Sequence, residues 1–151
     1  KLYGSCVRSA MLYGSETWAV KTEHVRKLER TEMRMVRWMC GVSLKDRKGS
    51  EELRAMLGIE GISTVMRRNR LRWFGHVERM EEGNWVRKCR WLEVDGRRPV
   101  GRPRKTWEEV VREDLRSWGL TVEMAQDKEC WREALKRRGS THRVWWINDL
   151  K

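Results

Sequence analysis

Proline is nearly missing from this 151-residue chain: there are two, Pro99 and Pro103, within one short stretch. Elsewhere no ring removes an amide donor, so helices are free to form. Alternating runs rich in β-branched residues are also nearly absent, which removes the signature of half-buried strands. No stretch of about 18 apolar residues occurs, so no membrane-spanning helix is expected. Leu2 to Ala19 is the most apolar stretch near the start, but Arg8 and Glu16 interrupt it and it lacks a clean signal-peptide core. The four cysteines, Cys6, Cys40, Cys89 and Cys130, never stand in close pairs. That spacing argues against a disulfide framework and for packed, reduced thiols in an intracellular protein. Structural zinc sites usually supply ligands about two to four residues apart, and neither these cysteines nor His76 and His142 do so.

Catalytic groupings are missing as well. Asp46, Asp95, Asp114, Asp127 and Asp149 are scattered, and no glycine-rich loop precedes a Lys-Ser/Thr pair. No catalytic residue, metal or cofactor is therefore expected, and the chain is not expected to be an enzyme on its own. It opens at Lys1 in mid-pattern, as expected of a fragment or processed product.

What the chain does have is charge and tryptophan. The net charge is +12, with ten tryptophans and eight methionines. Such a charge attracts polyanions, and the apolar surface is far more than a disordered basic tail carries. The charge is uneven. Thirteen Lys/Arg against five Asp/Glu lie between Ile62 and Lys105, which accounts for eight of the twelve net charges.

Helix punctuation recurs along the chain. Thr22 opens a run through Val25, Leu28, Met35, Val36 and Met39, ended by Gly41; Ser50 opens another through Leu53, Met56 and Leu57, ended by Gly58. A longer helix is predicted from about Ser63 to Met80, and Asn84 is placed to cap one carrying Trp85, Cys89 and Leu92. Thr106 and Glu109 have capping-box spacing ahead of Val110, Val111, Leu115 and Trp118, with Gly119 as the stop. The last helix is predicted from about Asp127 through Trp131 and Leu135 to Gly139. The expected fold is all-α: short helices in two small packed lobes joined by a basic Gly/Pro loop. The expected boundaries are 1–95, a linker over 96–105, a C-terminal lobe over 106–139 and a tail over 140–151.

Three features suggest chemistry. On the helix around Arg68, residues Ile62, Val65, Met66, Asn69, Trp73, Val77 and Met80 form one apolar stripe, with Leu71 and Phe74 on the opposite side. Arg68, Arg72 and Arg79 fall on an adjoining flank with Gly75 on the same row. Arginines spaced by a turn or two can each reach a phosphate, and a glycine between them lets a backbone approach. His76 is expected to be a satisfied core histidine. The second feature is the loop carrying Arg97, Arg98, Arg102, Arg104 and Lys105, which Pro and Gly hold extended across several phosphates. Its Gly101-Arg102-Pro103 is similar to an AT-hook core, which enters an A·T minor groove. The third is Arg beside Trp at Arg37-Trp38, Arg72-Trp73 and Arg90-Trp91, since indole and guanidinium planes stack on bases. Trp38, Trp73, Trp107, Trp118 and Trp131 are nevertheless expected in the core, and the tail pair Trp145-Trp146 has no assigned role.

Together these strings resemble a known family. Leu71-Arg72-Trp73-Phe74-Gly75-His76-Val77-Glu78-Arg79-Met80, then Gly96-Arg97-Arg98-Pro99-Val100-Gly101-Arg102-Pro103 leading to Trp107, resembles the C-terminal segment of non-LTR (LINE-type) retrotransposon reverse transcriptases. Leu12-Tyr13-Gly14-Ser15-Glu16-Thr17-Trp18 is similar to the stretch that follows the polymerase palm there. Asp127-Lys128-Glu129-Cys130-Trp131-Arg132 is similar to their closing segment. The resemblance runs from about Leu2 to Arg138. It implies a parent RNA-directed DNA polymerase, usually with an endonuclease, whose Tyr/Phe-x-Asp-Asp motif is absent from this chain. The Cys/His knuckle of some relatives is absent too. It also implies that 1–95 is thumb-like, and that the partners are RNA or an RNA–DNA hybrid together with the upstream palm. Two alternatives remain: a minor-groove binder of duplex DNA, and a transposon remnant without function.

Overall fold

A computed structural model describes residues 2–92, 101 and 104–139. Among these the fold is all-α, as expected. A π-turn at Tyr3–Val7 runs into α1 (Arg8–Met11), and a 3₁₀ turn at Ser15–Thr17 precedes the long α2 (Thr22–Met39). Then come a 3₁₀ turn at Leu44–Asp46, α3 (Ser50–Leu57), α4 (Ile62–Glu78) and α5 (Trp85–Trp91). The last elements are α6 (Trp107–Trp118), a 3₁₀ turn at Glu123–Ala125 and α7 (Lys128–Gly139).

The local signals act as the sequence predicts. The Thr106 hydroxyl accepts from the Glu109 amide at 3.3 Å, while the Glu109 carboxylate accepts from the Thr106 amide at 2.9 Å, closing the box at the start of α6. Asn84 Oδ1 accepts from the Val86 amide at 2.9 Å. Asp127 Oδ1 accepts from the amides of Glu129 and Cys130 and starts α7. Each satisfies amides that the first turn leaves without a partner. Gly58 and Gly119 end α3 and α6 at φ of 60° and 57°, a left-handed conformation that a Cβ disfavours.

Helix α4 occupies the middle. Leu71 and Phe74 pack with Val111, Leu115 and Trp118 of α6 and with Trp131 and Leu135 of α7. Its first turns supply Ile62, Val65 and Met66 to a second cluster with Leu12 and Val20. A third cluster, Met33, Val36 and Leu53, joins α2 to α3. The helix is thus buried on two sides, and the C-terminal helices pack directly on it. Full burial of such side chains contributes about 1.5–3 kcal/mol each. The expected linker over 96–105 and tail over 140–151, including Trp145-Trp146, lie almost wholly outside the described residues.

Several expectations are corrected. Trp38 is 84% exposed, because α2 turns its other side to the core through Val25, Leu28 and Val36. Trp73 and Trp107 are only partly buried; Trp118 and Trp131 are core. His76 is exposed, its ring 5.4 Å from that of Trp73. Cys6, Cys89 and Cys130 are exposed and Cys40 partly so, since their helices direct them away from the packed faces.

Candidate nucleic-acid interface

Internal pairing decides which arginines are free. Arg68 makes a bidentate contact with Glu60, at 2.7 and 2.6 Å, and is half-buried. Arg79 donates to the Ala125 carbonyl and ties α4 to the turn before α7. Of the three arginines expected as a ridge, Arg72 alone is exposed with no side-chain partner among the described residues. Lys105 is held by Glu113, whereas Arg104 is exposed and has no partner among the described residues. Arg97, Arg98 and Arg102 lie outside the described residues, and with Arg102 goes the AT-hook-like core.

Gly75 has a different role from the one expected. It is buried, and a Cβ built there would meet Trp131 Nε1 at 2.3 Å. The space above its backbone is filled by an indole of the protein itself, so no nucleic-acid backbone enters there.

Arg72 stands at a groove of about 620 Å³ between the Ser15–Thr17 turn and α4. Asn69, Trp73, His76 and Arg79 line the same side at helical spacing, with Glu16 and Thr17 opposite. A guanidinium, an imidazole and part of an indole face therefore converge on one open cleft. Its chemistry suits an anion flanked by a planar group.

Buried charges elsewhere hold this scaffold together. Glu32, fully buried on α2, accepts from Tyr3 Oη (3.0 Å), Arg54 Nη2 (3.2 Å) and the Ile62 amide (3.0 Å), with Arg8 Nη2 at 3.5 Å. One carboxylate so joins the π-turn, α2, α3 and the start of α4. Burial, with the Glu32 carboxylate adding to it, raises the Tyr3 phenol above its ordinary value. Asp114 of α6 receives Arg67 Nε at 3.0 Å and Arg70 Nη1 at 2.9 Å. Burial pushes the Asp114 carboxyl up and the Arg70 guanidinium down, each towards its neutral form. Arg90 of α5 bridges Glu78 and Glu108 and lies 4.9 Å from the Phe74 ring centroid. Burial opposes its charge, but the bonds to Glu108 and Glu78 outweigh that and hold the guanidinium above its ordinary value. The Arg90-Trp91 pair is therefore committed inward at its arginine.

A further row, not expected from the sequence, lies on α2. Arg26, Arg30 and Arg34 are exposed, Arg37 is partly so, and none has a side-chain partner among the described residues. They line a second open groove, of about 840 Å³, with Trp38 at its end. The signal was present as spacings of four, four and three residues on the face opposite Val25, Leu28 and Val36.

Among the described residues no helix is long and apolar enough to cross a membrane, and no group of three or more His, Cys, Asp or Glu is placed to hold a metal. Fold and surface together define a helical protein with buried ion pairs inside and unpaired arginines outside. The chain is similar to a transposon-derived protein of Caenorhabditis elegans, 24% identical over 148 residues that cover 90% of this chain and 53% of the relative. It thus spans about half the length of that relative, and the similarity fits an origin in a transposable element. No family model matches the chain, and no solved structure matches it significantly.

Proposed function

We propose that the chain is the C-terminal, thumb-like part of a non-LTR retrotransposon polymerase, and that it holds RNA or an RNA–DNA hybrid through phosphates without a catalytic centre of its own. The observation that carries this reading is the cleft at Arg72: an unpaired guanidinium beside Trp73 and His76, on the helix whose sequence resembles that family. The similarity to a transposon-derived protein supports the origin. Phosphate neutralisation releases counterions, so affinity for a primer–template duplex should fall with salt by about 0.7–0.9 in a log–log plot per contact. Arg72→Ala should lower that slope by about one contact. Binding that is flat with salt would overturn the reading. An intact polymerase frame upstream of Lys1 would support part of an enzyme over a remnant.

A further inference from the structure

We infer that the exposed face of α2 is a second nucleic-acid contact, in which Arg26, Arg30 and Arg34 hold the phosphates of one strand and Trp38 stacks on an unpaired base at its end. The inference rests on the nucleic-acid reading above and names the surface and the form of nucleic acid it fits. Helical geometry places the arginines about 6 Å apart along the axis, comparable to the step between successive phosphates of a strand. At about 100° per residue, Arg26, Arg30, Arg34, Arg37 and Trp38 share roughly a third of the circumference. Glu23 also lies in this sector, but it pairs with Lys27 at 3.1 Å. Glu29 lines the groove and is its one unpaired carboxylate.

Nothing among the described residues uses these groups. The four arginines have no side-chain partner among the described residues, and Trp38 leaves 84% of its surface in water. A large apolar ring so exposed beside unpaired guanidinium groups suits a partner that is both polyanionic and planar-faced. The helix dipole orders the two functions. Its negative end lies at Met39, so phosphates fit better along Arg26 to Arg34 and the uncharged base face fits at Trp38. An anionic membrane fits less well: interfacial helices bury an apolar face in lipid, and the apolar face of α2 is already buried against α3 and α4.

The test is fluorescence anisotropy with the full chain and three labelled probes: a blunt duplex, the same duplex with a single-stranded overhang, and the single strand. Arg30→Ala/Arg34→Ala should weaken all three at least tenfold at moderate salt and lower the log–log salt slope by about 1.4–1.8. Trp38→Ala should weaken the overhang and single-strand probes about tenfold and leave the blunt duplex unchanged, with Trp38→Phe restoring most of the loss. These side chains are on the surface, so circular dichroism should match the wild type. Unchanged affinity in the double variant, with Arg72→Ala still weakening binding, overturns the α2 contact and leaves the Arg72 reading standing. No binding by the wild type overturns both. Equal loss on all probes in Trp38→Ala overturns the stacking role. In a parallel sedimentation assay with phosphatidylserine vesicles, a double variant that keeps all three probes but loses the vesicles would make the surface a lipid contact instead.

Discussion

Trp131 of α7 lies across Gly75 of α4 and donates from Nε1 to the Leu71 carbonyl at 3.0 Å. In a helix that carbonyl already accepts from the residue-75 amide, and its second lone pair is reachable here because residue 75 has no Cβ. The contact fixes how α7 sits on α4.

Gly75→Ala tests it. Alanine favours a helix over glycine by about 1 kcal/mol, so an open position would be stabilised. Here the methyl group would meet the indole at 2.3 Å, displacing Trp131 and its hydrogen bond. Overpacking costs about 1–3 kcal/mol and the lost bond about 1, so a net loss of roughly 1–3 kcal/mol is expected in urea unfolding. A gain in stability would show that the contact is loose.

The Arg70–Asp114 pair is costly to break and cheap to replace. Arg70 is 4% and Asp114 6% exposed. Asp114→Ala leaves a buried guanidinium alone and should cost about 3 kcal/mol. Arg70→Met with Asp114→Leu should stay within about 1 kcal/mol of the wild type, since burial disfavours both charges and Arg67 can turn to water. A double variant as unstable as the single one would mean the ions contribute net stability.

Glu32 should be the least replaceable carboxylate. Glu32→Gln keeps the volume but turns an amide NH₂ towards a set of donors, and hydrogen bonds to a charged group contribute about 1.5–3 kcal/mol each. A loss of at least about 2 kcal/mol is expected by chemical denaturation. A smaller loss would mean that water enters beside Arg8 and Arg54.

Alkaline stability should depend on Tyr3. Its phenol is raised above the ordinary 10.0, so the folded state holds this proton more tightly than the unfolded chain. The contribution is fully present below that ordinary value and is lost as pH rises through the raised one. Tyr3→Phe should therefore flatten the alkaline limb of stability against pH. An alkaline limb unchanged from that of the wild type would remove Tyr3 from the account.

Within the candidate interface, Arg68→Ala and Arg72→Ala should separate. Arg72 is free and its loss should weaken nucleic-acid binding and reduce the salt slope. Arg68 is occupied by Glu60, so its loss should act on thermal unfolding first. Equal effects on binding would restore the full ridge.

The sequence alone determined the helices from Thr22 onward and where they end, but not the π-turn and α1 before them. Thr106 with Glu109, Asn84, Asp127, Gly58 and Gly119 act through neighbours within about four residues, and such local geometry is legible in one dimension. It also determined that α4 is apolar on two sides. Only the tertiary structure decided which arginines are free and which tryptophans are exposed. Arg67 and Arg70 meet Asp114 across 47 and 44 residues, Arg90 meets Glu108 across 18, and Gly75 meets Trp131 from another helix. Charge spacing along a helix is the same whether a guanidinium is neutralised from a distant segment or left in water. Arg72 and the α2 row emerged, and Arg68 and Gly75 receded, because packing assigned the partners.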